Sequence, residues 1–241
     1  MTVPVTHAGD IEMYYELHGS GEPLVIIGGL ASDISQWGWL TDWCAQTSQV
    51  LAFDNRGAGR TDKPDAPYTI PMMAGDTDAL MGSVGMSRAT VLGISMGGRI
   101  ALDLALEHPA RVARLILVST SASARPETST SRMEMLSMLS SLVFRGKYPQ
   151  PRYAFARQRQ ASRAYDCTDR LDQIHVPTTI LHGRRDRIVT LRDAEAMRRG
   201  ITGSQFVTFG GGHLFFLVRE RKWFLDTVAS ALAARSSLPA S

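Results

Sequence analysis

Ser95 sits in Gly93-Ile94-Ser95-Met96-Gly97, with a glycine two residues away on each side. A serine hydroxyl attacks a carbonyl only when a base takes its proton, so the pattern matters only with a histidine and an acid to serve it. The pentapeptide follows the apolar run Ala89 to Leu92 and opens a stretch in which Ile100, Leu104 and Ala105 share one helical face. Such a strand-turn-helix elbow is the context in which G-x-S-x-G does chemistry. Glycine at 93, 97 and 98 removes side chains that would collide in so sharp a turn. The start of a helix also supplies free N–H groups and a dipole that favour developing negative charge. The plainer alternative is a glycine-rich turn with an incidental serine.

Six histidines are available as the base. His7 and His18 lie in N-terminal strand patterns, His108 closes a helix, His175 precedes a strand and His182 ends one. Only His213 follows the last strand pattern, behind Gly210, Gly211 and Gly212, whose lack of side chains lets the loop bend and aim the imidazole back across the sheet edge. The acid is expected just past another strand end. Leu181-His182-Gly183-Arg184-Arg185-Asp186 supplies it, with Gly183 as the turn and Asp186 placed to accept from the histidine. The competing reading of Asp186 is a surface ion pair with Arg184, Arg185 or Arg187. A tetrahedral intermediate would need two backbone N–H donors. Met96, next to the serine, is one candidate, and Leu30 in the loop Gly28-Gly29-Leu30-Ala31 is the other.

These residues must be positioned by something, and the rest of the chain reads as alternating strands and helices. Ile11 to His18 is a strand with mixed faces. Leu24 to Ile27, Val50 to Phe53, Ala89 to Leu92, Leu115 to Val118, Thr178 to Leu181 and Gln205 to Phe209 are short strands, most of them wholly apolar, as burial on both faces demands. Met73, Leu80 and Val84 mark a helix stopped by Gly85. Pro109 ends the helix after Ser95, and Arg219 to Ala234 reads as a C-terminal helix. The pattern predicts an open, mostly parallel sheet with helices on both faces, built from residues 1–120 and 171–235, with a frayed tail at 236–241.

Residues 121–170 break the rhythm and are expected to be a helical lid inserted between two core strands. Ser131 and Glu134 form a capping-box pattern, and Met133, Leu136, Leu139, Leu142 and Val143 recur at helical spacing. A second helix is expected from Tyr153 to Tyr165. Met133, Met135 and Met138 would make an adaptable wall for a substrate, or simply pack. Gly29 and Trp37, together with Trp39 and Tyr153, are further candidates for lining a pocket. The segment carries nine basic side chains against four acidic ones. That is either a solvated helical surface or a field that draws in anionic substrates.

The bulk numbers narrow the classes. The chain has 241 residues, 44% hydrophobic and 20% charged, which suits a single globular domain carrying an insertion. A net charge of +3 is too small to argue for nucleic acid. No run of about 18 apolar residues is present to span a membrane. Residues 1–10 do not read as a signal peptide, so a cytoplasmic location is expected. Cys44 and Cys167 make no disulfide framework or metal-ligand spacing, and no cofactor or metal is expected.

Taken together, these motifs resemble the α/β-hydrolase superfamily, and within it the 3-oxoadipate enol-lactonases and related small esterases. The resemblance runs from Ile11 to about Ala234. It is carried by Pro23 to Ile27, Phe53-Asp54-Asn55-Arg56-Gly57-Ala58-Gly59-Arg60, the elbow through Gly98, His182 to Asp186, and Gly211-Gly212-His213. It implies an eight-stranded core, a lid between strands six and seven, and a Ser95–Asp186–His213 triad in the order of that superfamily. It also implies that Asp54 and Arg56 brace a loop near the site. The family's usual His-Gly after the third strand is here Gly28-Gly29, a change expected to loosen that loop or widen the pocket. Some relatives place the acid after strand six, but Ser119-Thr120 stands there and cannot serve. Relatives that open epoxides or carbon–halogen bonds use aspartate at the elbow. Serine instead implies hydrolysis of a small-molecule ester, lactone or thioester through an acyl-enzyme. C–C hydrolysis of the meta-cleavage kind, cyclisation or rearrangement, and ligand binding without turnover remain as alternatives on the same fold.

Overall fold

The computed structural model describes residues 4–123, 146–217 and 219–234. Eight strands form one sheet in the order β1-β2-β4-β3-β5-β6-β7-β8. They are β1 (Val5–Ala8), β2 (Ile11–His18), β3 (Glu22–Ile27), β4 (Ser48–Phe53), β5 (Ala89–Ile94), β6 (Val112–Val118), β7 (Thr178–Gly183) and β8 (Gln205–Phe209). β1 pairs antiparallel with β2 and β2 antiparallel with β4, and every later pairing is parallel.

The central strands are apolar throughout because both faces are covered. Along β3, β5 and β6 alternate residues enter different cores. Val25, Ile27, Val91, Leu115 and Leu117 face one way, and Leu24, Ile26, Leu92, Ile94, Ile116 and Val118 the other. Helices α2 (Ile70–Ser83) and α3 (Met96–Glu107) cover the first face with Met73, Leu80, Ile100 and Leu104. The second is covered by Leu40 of α1 (Ile34–Cys44) and by Phe224 and Val228 of the C-terminal helix (Arg221–Ala233). α3 stops at Glu107, with His108 as its cap, as Pro109 requires.

Within the stretch 121–170, helix α4 (Arg152–Ala164) lies one residue from the span predicted for it, and Ser123 pairs with Asp166 in an isolated antiparallel bridge. The helix expected around Met133, Met135 and Met138 and the tail at 236–241 lie outside the described residues. Helix α5 (Leu191–Gly200) separates β7 from β8, and the C-terminal helix is α6. Strand β1 and helices α1 and α5 form without a sequence pattern that predicts them. Among the described residues no helix is long and apolar enough to cross a membrane.

Candidate active site

Three loops leave the carboxyl ends of β5, β7 and β8, and these neighbouring ends are where a parallel sheet places its ligands. Ser95 follows β5 directly and caps α3 with φ 55° and ψ −116°. A positive φ is costly for a residue with a Cβ, about 1–3 kcal/mol, and is held only where the surroundings impose it. Here Ser95 N donates to Val118 O at 2.9 Å, and Thr120 Oγ1 donates to Ser95 O at 2.7 Å. The flanking glycines are steric necessities. A Cβ on Gly93 would lie 2.5 Å from the carbonyl oxygen of Gly97, and one on Gly97 would strike the backbone of Ile27.

His213 bridges the other two residues. Its Nε2 lies 3.1 Å from Ser95 Oγ and its Nδ1 lies 2.7 Å from Asp186 Oδ2. The Asp186 side chain is fully buried. Its other oxygen accepts from Ile188 N at 2.8 Å and Val189 N at 3.0 Å, so the carboxylate is aimed before the histidine arrives. Among the described residues no arginine pairs with it, which removes the surface ion-pair alternative. Below it lies His182, fully buried, with Nε2 3.6 Å from Asp186 Oδ2 and 3.0 Å from the carbonyl of Val189. Burial holds the His182 imidazole below its ordinary pKa of 6.5, with Asp186 opposing that shift.

The glycine loop before His213 is not free. The two carboxylate oxygens of Glu220 accept from Gly210 N at 2.7 Å and Gly211 N at 2.8 Å. Arg185 N donates to Gly211 O at 2.9 Å, tying this loop to the one that carries Asp186. The glycines serve close packing, for a Cβ on Gly211 would lie 2.7 Å from that of Phe215, and none of the three has a positive φ.

The loop after β3 completes the constellation. A Cβ on Gly29 would sit 3.4 Å from that of Ser95, so this backbone lies directly against the serine. Asn55 Nδ2 donates to Gly28 O at 3.0 Å, and Ser32 donates to Gly29 O through Oγ at 2.8 Å and through N at 3.3 Å. Among the described residues no acceptor takes the N–H of Leu30 or of Met96. The expected loosening at Gly28-Gly29 does not occur. Trp37 and Ser32 fill the space, and a Cβ on Gly28 would lie 2.7 Å from the Trp37 indole nitrogen, which donates to Ser32 Oγ at 3.0 Å. Trp37 also packs against Phe216, with ring centroids 6.1 Å apart. Trp39 lies under Arg221 and Phe224 of α6, and Tyr153 is exposed with its hydroxyl on Lys63 O. Met133 and Met138 lie outside the described residues.

Asp54 braces the loops as expected. Its carboxylate accepts from Ile34 N and Arg60 N, both at 2.8 Å. Arg56 is held by Asp76 and Asp10. Arg99, one turn after Ser95, donates to the carbonyls of Ser121 and Ser162 and so joins α3 to both flanks of 121–170. Four partners were invisible to motif reasoning: Thr120 and Glu220, already described, Ser119, whose hydroxyl donates to His213 O, and Gln158, which accepts from Ala31 N. Among the described residues no cluster of His, Cys, Asp and Glu is placed to hold a metal ion.

Residues 22–153 match the alpha/beta hydrolase fold family. The chain belongs to that family. It is similar to a putative carbamate hydrolase RutD of Rhizobium rhizogenes, 26% identical over 94% of this chain and 100% of that protein. A protein of the same name from Azorhizobium caulinodans is 34% identical over 48% of this chain and 44% of that one. Among solved structures, an esterase from Exiguobacterium antarcticum superimposes with a TM-score of 0.85 at 27% identity, over 97% of this chain and 100% of that one. The enol-lactonase from Burkholderia xenovorans has the same TM-score at 23% identity, over 96% and 100%, and shares the fold. The α/β-hydrolase chain thus has small esterases and an enol-lactonase among its structural neighbours.

Proposed function

We propose that this hydrolase cleaves a small-molecule carboxylic ester, lactone or thioester through an acyl-enzyme on Ser95. The observation that carries the reading is the continuous chain from Ser95 Oγ through His213 to Asp186, at 3.1 and 2.7 Å, on a strained elbow. His213 Nε2 takes the hydroxyl proton as Oγ attacks the carbonyl carbon. Asp186 holds the Nδ1 proton and stabilises the imidazolium that results. The N–H groups of Leu30 and Met96 receive the oxyanion. The imidazolium then protonates the leaving group, and water, deprotonated by His213, releases the acid and restores Ser95. The substrate requires no metal or cofactor for these steps.

A carbamate carbonyl can follow the same course through a carbamoyl-enzyme, and the name of the RutD relatives favours including carbamates among the substrates tried. The basic excess of 121–170 favours a carboxylate on the substrate, although Arg157 and Arg170 are already paired with Asp65 and Glu107. We propose a cytoplasmic location, in keeping with the free, buried thiols of Cys44 and Cys167, and a lid role for α4.

Turnover of short p-nitrophenyl esters by wild type and Ser95→Ala tests the reading. Loss of several orders of magnitude in a folded Ser95→Ala protein supports it, and retained turnover sinks it. Comparing anionic with neutral esters of equal size across salt concentrations tests the charge preference, which fails if the two behave alike.

A further inference from the structure

Gln158 is fully buried, yet it comes from α4 in the segment 121–170 and not from the core. A primary amide sealed from water is costly unless both ends are satisfied. Both are, by backbone groups far away in the chain. Gln158 Oε1 accepts from Ala31 N at 3.0 Å, and Gln158 Nε2 donates to Arg56 O at 2.7 Å. The second partner is a rigid anchor, because the guanidinium of Arg56 is clamped by Asp76 at 2.8 and 2.7 Å.

Ala31 has φ 60°, a conformation that alanine holds only under constraint. The peptide before Leu30 is fixed through its carbonyl, which belongs to Gly29 and accepts from Ser32. The peptide after Leu30 is fixed through its N–H, which belongs to Ala31 and points to Gln158. Leu30 is therefore gripped on both sides, and the trans peptide directs its own N–H away from the Gly29 carbonyl.

We infer that Gln158 is a positioning residue for the oxyanion site: it aims the Leu30 N–H by holding the Leu30–Ala31 peptide, and so makes the docking of α4 a condition of transition-state stabilisation. This rests on the acyl-transfer reading above. It adds that α4 acts on the chemical step through one amide. A misaim of the order of 1 Å in such a donor costs about 100-fold in rate.

Gln158→Met keeps the volume and removes both hydrogen bonds. Sites are counted by the extent of fluorophosphonate labelling, so that only folded, competent protein enters kcat. The expected result is a fall in kcat of about 10- to 100-fold with KM within threefold, and a parallel loss of affinity for an alkyl boronic acid, whose serine adduct carries the tetrahedral oxygen. A merely structural glutamine would lower Tm and the titrated fraction but leave kcat per site unchanged. A kcat per site within threefold of wild type overturns the inference. Gln158→Glu keeps shape and acceptor and covers the case in which the methionine variant does not fold. Its carboxyl donates to Arg56 O only while protonated, so its kcat relative to wild type should fall as pH rises, and a ratio constant with pH overturns the inference. Ser95→Ala separates the two failures. If it stays inactive while Gln158→Met is wild-type-like, this inference alone fails, and if Ser95→Ala turns over, the acyl-transfer reading fails with it.

Discussion

The hydroxyl of Ser119 donates to the backbone carbonyl of His213 over 2.7 Å. Ser119 directly follows β6, has φ 48°, and donates its own backbone N–H to Leu181 O at 3.0 Å. The loop bearing the imidazole is thus fastened to the strand between the one that presents Ser95 and the one that presents Asp186. Removing one neutral hydrogen bond costs about 0.5–1.5 kcal/mol. Ser119→Ala should therefore lower kcat by about 3- to 10-fold with KM little changed. Steady-state kinetics at fixed pH check this, and an unchanged kcat would show that Glu220 and the packing of Phe215 suffice to hold His213.

The strain at Ser95 should be measurable as stability. Ser95→Ala and Ser95→Gly both remove the hydroxyl, but only glycine takes φ 55° without a steric penalty. Ser95→Gly should be the more stable of the two by about 1–3 kcal/mol, less what glycine loses in chain entropy. Urea denaturation of both variants decides it, and a glycine variant less stable than the alanine one would deny that the elbow is strained.

His182 should make stability depend on pH in a defined direction. Burial keeps its imidazole neutral in the folded protein, while the unfolded chain protonates it near the ordinary 6.5. The unfolded state thus binds more protons below that pH, so the contribution is complete above about 6.5 and is lost as pH falls towards the lower folded value. Asp186, 3.6 Å away, opposes the shift, and His213 adds to it. Relative to wild type, His182→Gln should lose less stability between pH 7 and pH 5. Chemical denaturation across that range tests it, and parallel profiles would contradict it.

The three residues of the hydrogen-bonded chain could be named from sequence because each stands past the end of a strand pattern, fully buried for Ser95 and Asp186 and followed by three glycines for His213, where a parallel sheet gathers its loops. Their supports could not. Ser119, Thr120 and Glu220 act on backbone atoms, which carry no sequence signature, and Ser119 and Thr120 were weighed only as missing acids. Gln158 meets Ala31 across 127 positions and Arg56 across 102. Strand β1 is short and mostly exposed, with no apolar run to announce it. α5 buries only Ala194 and Met197, too few for a clear helical stripe. The idea that glycine at 28 loosens the loop failed because Trp37, nine residues on, fills the vacancy. Side chains from another turn can replace a missing one, and spacing alone does not reveal which will.

The most direct test is to expose the folded protein to a fluorophosphonate, measure its intact mass, and map the modified peptide. One adduct is expected, on Ser95, formed in wild type and abolished in both Ser95→Ala and Ser95→Gly. Absence of an adduct on folded wild type, or an adduct on another residue that survives in Ser95→Ala, would contradict it.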